Sequence, residues 1–147
     1  MTTFNLEAAT NTLSVLKMYG LNDTLASFAL SQFLHETNGF TSDLYKFDNN
    51  VCGMTFSGQS LAKQSTRYFI DSSGEKVFYA NYNNTDDSIH DFVIWYTKHR
   101  NKIFSLPLVI SSLADYVKFL KNQNYFTAPE TEYLAGCQYF YNKLFNG

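Results

Sequence analysis

The sequence has little of several things that mark whole classes of protein. Two cysteines, Cys52 and Cys137, in 147 residues cannot build a multi-disulfide secreted scaffold. They either pair with each other or stay as buried thiols, and buried thiols are expected. Only 16% of the residues are charged and the formal net charge is −2, without the basic surplus of a nucleic-acid binder or a polybasic membrane-surface protein. No run approaches 18 apolar residues, so no membrane-inserted helix is expected. The three histidines, His35, His90 and His99, fall at no metal-ligand spacing and no cysteine pair supports zinc, so neither metal nor cofactor is expected. There is no glycine-rich phosphate loop and no serine in a nucleophile-elbow setting. The N-terminal Met1-Thr2-Thr3-Phe4-Asn5 lacks a basic n-region and an apolar h-region, which predicts a protein made in the cytoplasm with no export signal of its own.

Aromatic residues are what the chain has in excess: 14 Phe, 11 Tyr and one Trp, 18% of the total. Compositional drift accounts for them most simply, because Phe, Tyr, Asn and Lys prevail over Arg as in an AT-rich coding sequence. Exposed rings, however, also stack on sugars and bases. With 45% hydrophobic residues and this length, one domain spanning residues 1–147 with its own core is expected.

Apolar spacing sets the elements. Leu6, Ala9, Leu13 and Leu16 draw one stripe on a helix from about Asn5 to Met18, stopped at Gly20. Asn22-Asp23-Thr24 opens a second helix with Leu25, Phe28, Ala29 and Phe33 on its buried side and its end marked by Gly39. Residues 40–65 read as irregular. Arg67–Ile70 and Lys76–Tyr79 flank Ser72-Ser73-Gly74 as a hairpin. Thr85 caps a third helix that buries Ile89, Phe92, Val93 and Tyr96. A further helix follows Pro107, around Leu113–Lys121, and the last begins just past Pro129 and buries Leu134, Cys137, Tyr141 and Leu144. The class is mainly α (α+β), a helical domain with one small β lobe.

One acid breaks this pattern. Glu36 lies three residues after Phe33 and seven after Ala29, on the core-facing stripe and in the last turn of its helix. Desolvation and the negative end of the helix dipole both disfavour its ionised form, so its pKa is expected to rise. A carboxyl kept protonated near neutral pH is what general-acid chemistry requires. A structural carboxylate at a helix end is the plainer reading. His35 points about a quarter turn away and is expected to be structural or exposed.

Four segments, in order, resemble the glucosaminidases of bacterial and phage peptidoglycan hydrolases. Gln32-Phe33-Leu34-His35-Glu36-Thr37-Asn38-Gly39-Phe40 is similar to that family's helix-end motif. Asn49-Asn50-Val51-Cys52-Gly53-Met54 resembles its Asn-Asn-Leu-Phe-Gly-Ile segment. The stretch from Tyr82 to Phe92 resembles its Tyr-Asp-Ser…Glu-Ser…Asp-Tyr segment. Asn124-Tyr125-Phe126-Thr127-Ala128-Pro129 resembles its Gly-Tyr-Ala-Thr-Asp-Pro turn. Cys52 stands where the family has an aromatic, Ala128 where it has an acid, and extra residues separate Pro129 from Tyr133.

The resemblance implies a lysozyme-like fold with a glycan groove between a helical and a β lobe. It also implies cleavage of the β-1,4 bond after N-acetylglucosamine in peptidoglycan glycan strands, with Glu36 as proton donor. Asp71 and Glu75, beside the hairpin turn, are the candidates for a second acid; Asp86 and Asp87 are better explained as charges at a helix start. Alternatively the substrate's own acetamido oxygen is the nucleophile and Tyr125 orients that group, unless Tyr125 merely packs at a helix end. Asn49, Asn50 and Gly53 frame the groove as a tight turn, and Tyr68, Tyr79 and Tyr82 are candidates to border it. The setting implied is a phage lysis or virion-associated enzyme acting at the bacterial cell wall, with a virion or secretion system as partner. Two other readings remain open: a weakly active or inactive wall-binding virion module, and a chitinase- or muramidase-type endolysin, since His35-Glu36-Thr37 also resembles those motifs.

Overall fold

The computed structural model describes residues 4–101 and 110–146. The elements run α1 (Leu6–Met18), α2 (Asp23–Glu36), α3 (Asp43–Asp48), β1 (Ala62–Ile70), β2 (Lys76–Tyr82), α4 (Thr85–Asn101), α5 (Leu113–Asn122) and α6 (Glu130–Tyr141), closed by a π turn over Asn142–Asn146. Pro107 and Met1–Thr3, on which two of the expectations above fall, lie outside the described residues. No described helix is long and apolar enough to cross a membrane.

Capping chemistry sets most helix starts. Asn5 and Asn22 accept from the backbone N–H groups of Ala8 and Leu25 at 3.0 and 2.9 Å, and Ser112 opens α5 in the same way. At α4 the cap is Asn84, which accepts from Asp87 N at 2.8 Å, and Thr85 is the first helical residue instead of the cap. The last turn of α2 ends at Glu36, before Gly39. The Thr37 hydroxyl donates to the Phe33 carbonyl and accepts from Phe40 N, and Gly39 N closes back on Leu34 O.

Helix α2 is the axis of the molecule. Ala26 and Phe28 through Leu34 are all buried, and its main partner is α6. The approach is close because α6 carries Gly136: a Cβ there would overlap the His35 ring. The buried side of α6 is Tyr133, Cys137 and Phe140; Leu134, Tyr141 and Leu144 are only partly buried, a phase correction to the stripe read from sequence. Cys52 and Cys137 are both buried free thiols.

The β lobe departs furthest from the sequence reading. Residues 40–65 contain α3, a helix of six residues capped by Ser42. Strand β1 begins at Ala62 and pairs antiparallel with β2, but its register shifts between Gln64 and Tyr68. That bulge interrupts the alternation and hides the first half of the strand from a period-2 pattern. The bulge is anchored beneath by Asp48, which accepts from Ser65 Oγ (2.8 Å) and Asn81 Nδ2 (2.7 Å) and pairs with Arg67 at 3.2 Å.

Candidate active site

Glu36 sits where the helical and β lobes meet. A cleft of about 310 Å³ opens there, lined by His35 and Glu36 from α2, Gly53 and Thr55 from the loop after α3, Phe69 and Tyr79 from the hairpin, residues 125–128, and Tyr133 from α6. The carboxyl is gripped on both sides. Tyr133 donates its hydroxyl to Glu36 Oε1 at 2.5 Å. On the other side a Cβ built on Gly53 would come within 2.8 Å of Oε2, so only the absence of a side chain leaves that oxygen room. Because Oε1 already accepts from Tyr133, the carboxyl's own proton belongs on Oε2.

The electrostatics follow from burial. Desolvation pushes the Glu36 carboxyl up to about 7 and outweighs the Tyr133 hydrogen bond, which pulls the other way. The groups facing it stay uncharged at neutral pH: burial raises the phenols of Tyr79, Tyr125 and Tyr133 and the thiol of Cys137, and lowers His35.

This has a cost in stability. Near pH 4 the folded and unfolded chains both hold the proton. As pH rises toward 7 the unfolded chain releases it first, so stability falls and levels off once the folded carboxyl ionises. Glu36→Gln removes that penalty. The variant is expected to match the parent near pH 4 and to exceed it by about 3 kcal/mol, roughly 10 °C in melting temperature, near pH 8. Thermal denaturation at the two pH values checks this, and an offset independent of pH contradicts it.

The residues singled out in the sequence separate into three groups. Glu36, Gly53, Tyr79 and Tyr125 line the cleft. Asn49 and Asn50 hold its floor from behind. Asn49, with φ of +51°, ends α3 and donates to Tyr82 O at 2.9 Å. Buried Asn50 donates to the carbonyls of Met54 and Ala80, both at 2.9 Å, and accepts from the N–H groups of Cys52 and Met54. These bonds shape the turn that carries Gly53 to Glu36 and tie it to Ala80 on β2.

The third group stands away from the cleft. Tyr82 is buried and donates to Asp91 Oδ2 at 2.5 Å. Tyr68 lies on the outer hairpin face, paired with Phe78 under the Lys76 ammonium. Asp71 and Glu75 sit at the hairpin tip and neither lines the cleft. The Asp71 carboxylate accepts from Ser73 Oγ, Ser73 N and Glu75 N, and the Ser73 hydroxyl above all holds it below the usual carboxylate range. Among the described residues lining the cleft, Glu36 is the one carboxylic acid.

Sequence reasoning missed Tyr133 and His35 as cleft residues. Tyr133 reads as one more apolar position on α6, and nothing local signals a hydroxyl reaching a carboxyl 97 residues away. His35 lines the cleft and meets the Tyr133 ring edge-on at 4.8 Å. Among the described residues no cluster of three or more His, Cys, Asp or Glu is arranged to hold a metal ion.

Residues 13–144 match the model of the glucosaminidase family, described as mannosyl-glycoprotein endo-beta-N-acetylglucosaminidase. The chain belongs to the glucosaminidase family. This glucosaminidase is therefore a glycoside hydrolase. Its fold is similar to the catalytic domain of the autolysin Auto from Listeria monocytogenes, with a TM-score of 0.60 and 17% identity, over 95% of this chain and 81% of that one. The likeness fits the mainly helical, lysozyme-like glucosaminidase architecture with its small two-stranded lobe. No curated protein matches the glucosaminidase.

Proposed function

We propose that the chain hydrolyses peptidoglycan glycan strands at the β-1,4 bond after N-acetylglucosamine, with Glu36 as the proton donor and residues 1–147 acting as one catalytic domain. The observation that carries this is a carboxyl pushed up to about 7, held through Oε1 by Tyr133 and facing an aromatic-walled cleft of about 310 Å³. Family membership supplies the bond class, and the neighbouring Listeria domain, an autolysin by its description, is consistent with a wall substrate.

In this reading the sugar ring enters between Phe69 and Tyr79 on one wall and Tyr125 and Phe126 on the other. Glu36 Oε2 gives its proton to the glycosidic oxygen as the C1–O bond breaks. No second carboxyl lies in the described lining, so the substrate's 2-acetamido oxygen attacks C1 and forms a cyclic intermediate. Water then opens that ring, giving its proton back to the Glu36 carboxylate. Tyr125, whose ring borders the cleft and whose hydroxyl donates to Cys52 O at 2.6 Å, orients the acetamido group in this scheme. Asp71, Glu75 and Tyr82 have no part in this scheme.

Digestion of purified peptidoglycan, followed by reduction of new ends and mass spectrometry, tests the assignment. N-acetylglucosamine reducing ends are expected. N-acetylmuramic acid ends would make the enzyme a muramidase, and strands that bind the protein but stay intact would make it a wall-binding module.

A further inference from the structure

The hydroxyl of Tyr133 reaches Glu36 only while its ring holds one orientation, and a tyrosine near the start of a helix at a cleft wall has other rotamers open to it. Two rings remove that freedom. Phe126, from the segment between α5 and α6, lies flat against Tyr133, with centroids 3.7 Å apart and planes 3° from parallel. His35 closes the edge at 83° to the same ring. The Phe126 segment is itself tied to α5. Lys121 Nζ donates to the carbonyls of Thr127 (3.2 Å) and Ala128 (2.7 Å) and stands 5.0 Å from the Phe126 centroid. With Tyr133 covering one face of Phe126 so closely, the ammonium is left the other. A continuous column thus runs from α5 through Phe126 and Tyr133 to the Glu36 carboxyl.

We propose that Phe126 is a positioning residue for the proton donor: its stack on Tyr133 aims the phenol at Glu36 Oε1 and fixes which oxygen carries the proton. The proposal rests on Glu36 being the proton donor. Phe126 also borders the cleft, so the alternatives are that it serves substrate contact alone or merely shields Glu36 from water.

These alternatives differ in sign and in coupling. Freeing the phenol removes a donor that favours the ionised carboxyl, so the Glu36 midpoint rises. Admitting water lowers it. The groups facing Glu36 do not obscure the titration: from α2, His35 is lowered by burial, and from α6, β2 and the neighbouring loop, Tyr133, Cys137, Tyr79 and Tyr125 are all raised.

The experiment follows the Glu36 carboxyl by carbon NMR in the substrate-free protein, assigned by its loss in Glu36→Gln, beside the pH profile of kcat. Phe126→Leu keeps apolar bulk without a flat face, Phe126→Met does the same if the first variant folds poorly, and Phe126→Tyr restores the stack. Phe126→Leu and Tyr133→Phe are each expected to raise the midpoint by about one pH unit. The double variant should show no further rise, Phe126→Tyr should return the parent value, and the alkaline limb of kcat should move with the midpoint.

The proposal is overturned if Phe126→Leu leaves or lowers the midpoint, if its shift adds to that of Tyr133→Phe, or if only KM changes. A midpoint that rises while the kcat limb stays put would uphold the positioning role and overturn Glu36 as the donor. The two failures are therefore distinguishable.

Discussion

Glu36→Gln is expected to lower kcat about 10³-fold, with little change in KM and a fold at least as stable as the parent. Glutamine keeps the side-chain length and still offers an oxygen to the Tyr133 hydroxyl, so the cleft should hold its shape. It cannot give a proton. In the described lining no other acid is placed to substitute, so the loss should be close to the full worth of general-acid assistance. The combination is diagnostic: a variant that melts higher near pH 8 and hardly turns over marks a carboxyl kept for chemistry at the expense of stability. Rates of reducing-end release, measured beside thermal melts, check both halves.

Gly53→Ala is expected to cost about 10²-fold in kcat, against only about 1–2 kcal/mol in stability. Gly53 has φ of +70°, so any side chain strains the turn slightly. The larger effect is directional. The new Cβ would come 2.8 Å from Glu36 Oε2 and 3.3 Å from Cδ. The carboxylate end of a glutamate moves cheaply, so the fold tolerates the intrusion by letting the Glu36 carboxyl shift. Gly58→Ala is the control: its φ of +89° carries the same backbone strain, but nothing lies within 4 Å of an added Cβ. It should lose comparable stability and keep its activity. Equal activity losses in both variants would mean that backbone strain, and not displacement of Glu36, is responsible.

The sequence made some parts of this molecule legible because their causes are local. Asn22 caps α2 through a side chain three residues from its partner, and the stripes on α2 and α4 repeat at helical spacing. Glu36 stood out because a carboxyl on an apolar stripe is costly wherever the chain folds. Other parts depend on contacts between distant segments. Helix α3 is too short to show a period, and the bulge in β1 breaks its alternation. Asn49 and Asn50 looked like turn formers, and the structure adds what the turn is for: bonds to Ala80 and Tyr82 on β2 hold it against the sheet. Tyr133 was hidden most completely. Its ring belongs to the stripe with Cys137 and Phe140, while its hydroxyl belongs to Glu36.

The aromatic excess divides the same way. Phe28, Phe33 and Phe92 fill the core. Phe69, Tyr79, Tyr125, Phe126 and Tyr133 wall the cleft.

In the proposed reaction a protonated Glu36 drives cleavage after N-acetylglucosamine. The most direct measurement compares the ends released from one peptidoglycan preparation by the parent protein and by Glu36→Gln, using reduction and mass spectrometry. N-acetylglucosamine reducing ends are expected from the parent, with a roughly 10³-fold loss of them in the folded variant. Equal release by the two proteins, or ends of another sugar, would contradict it.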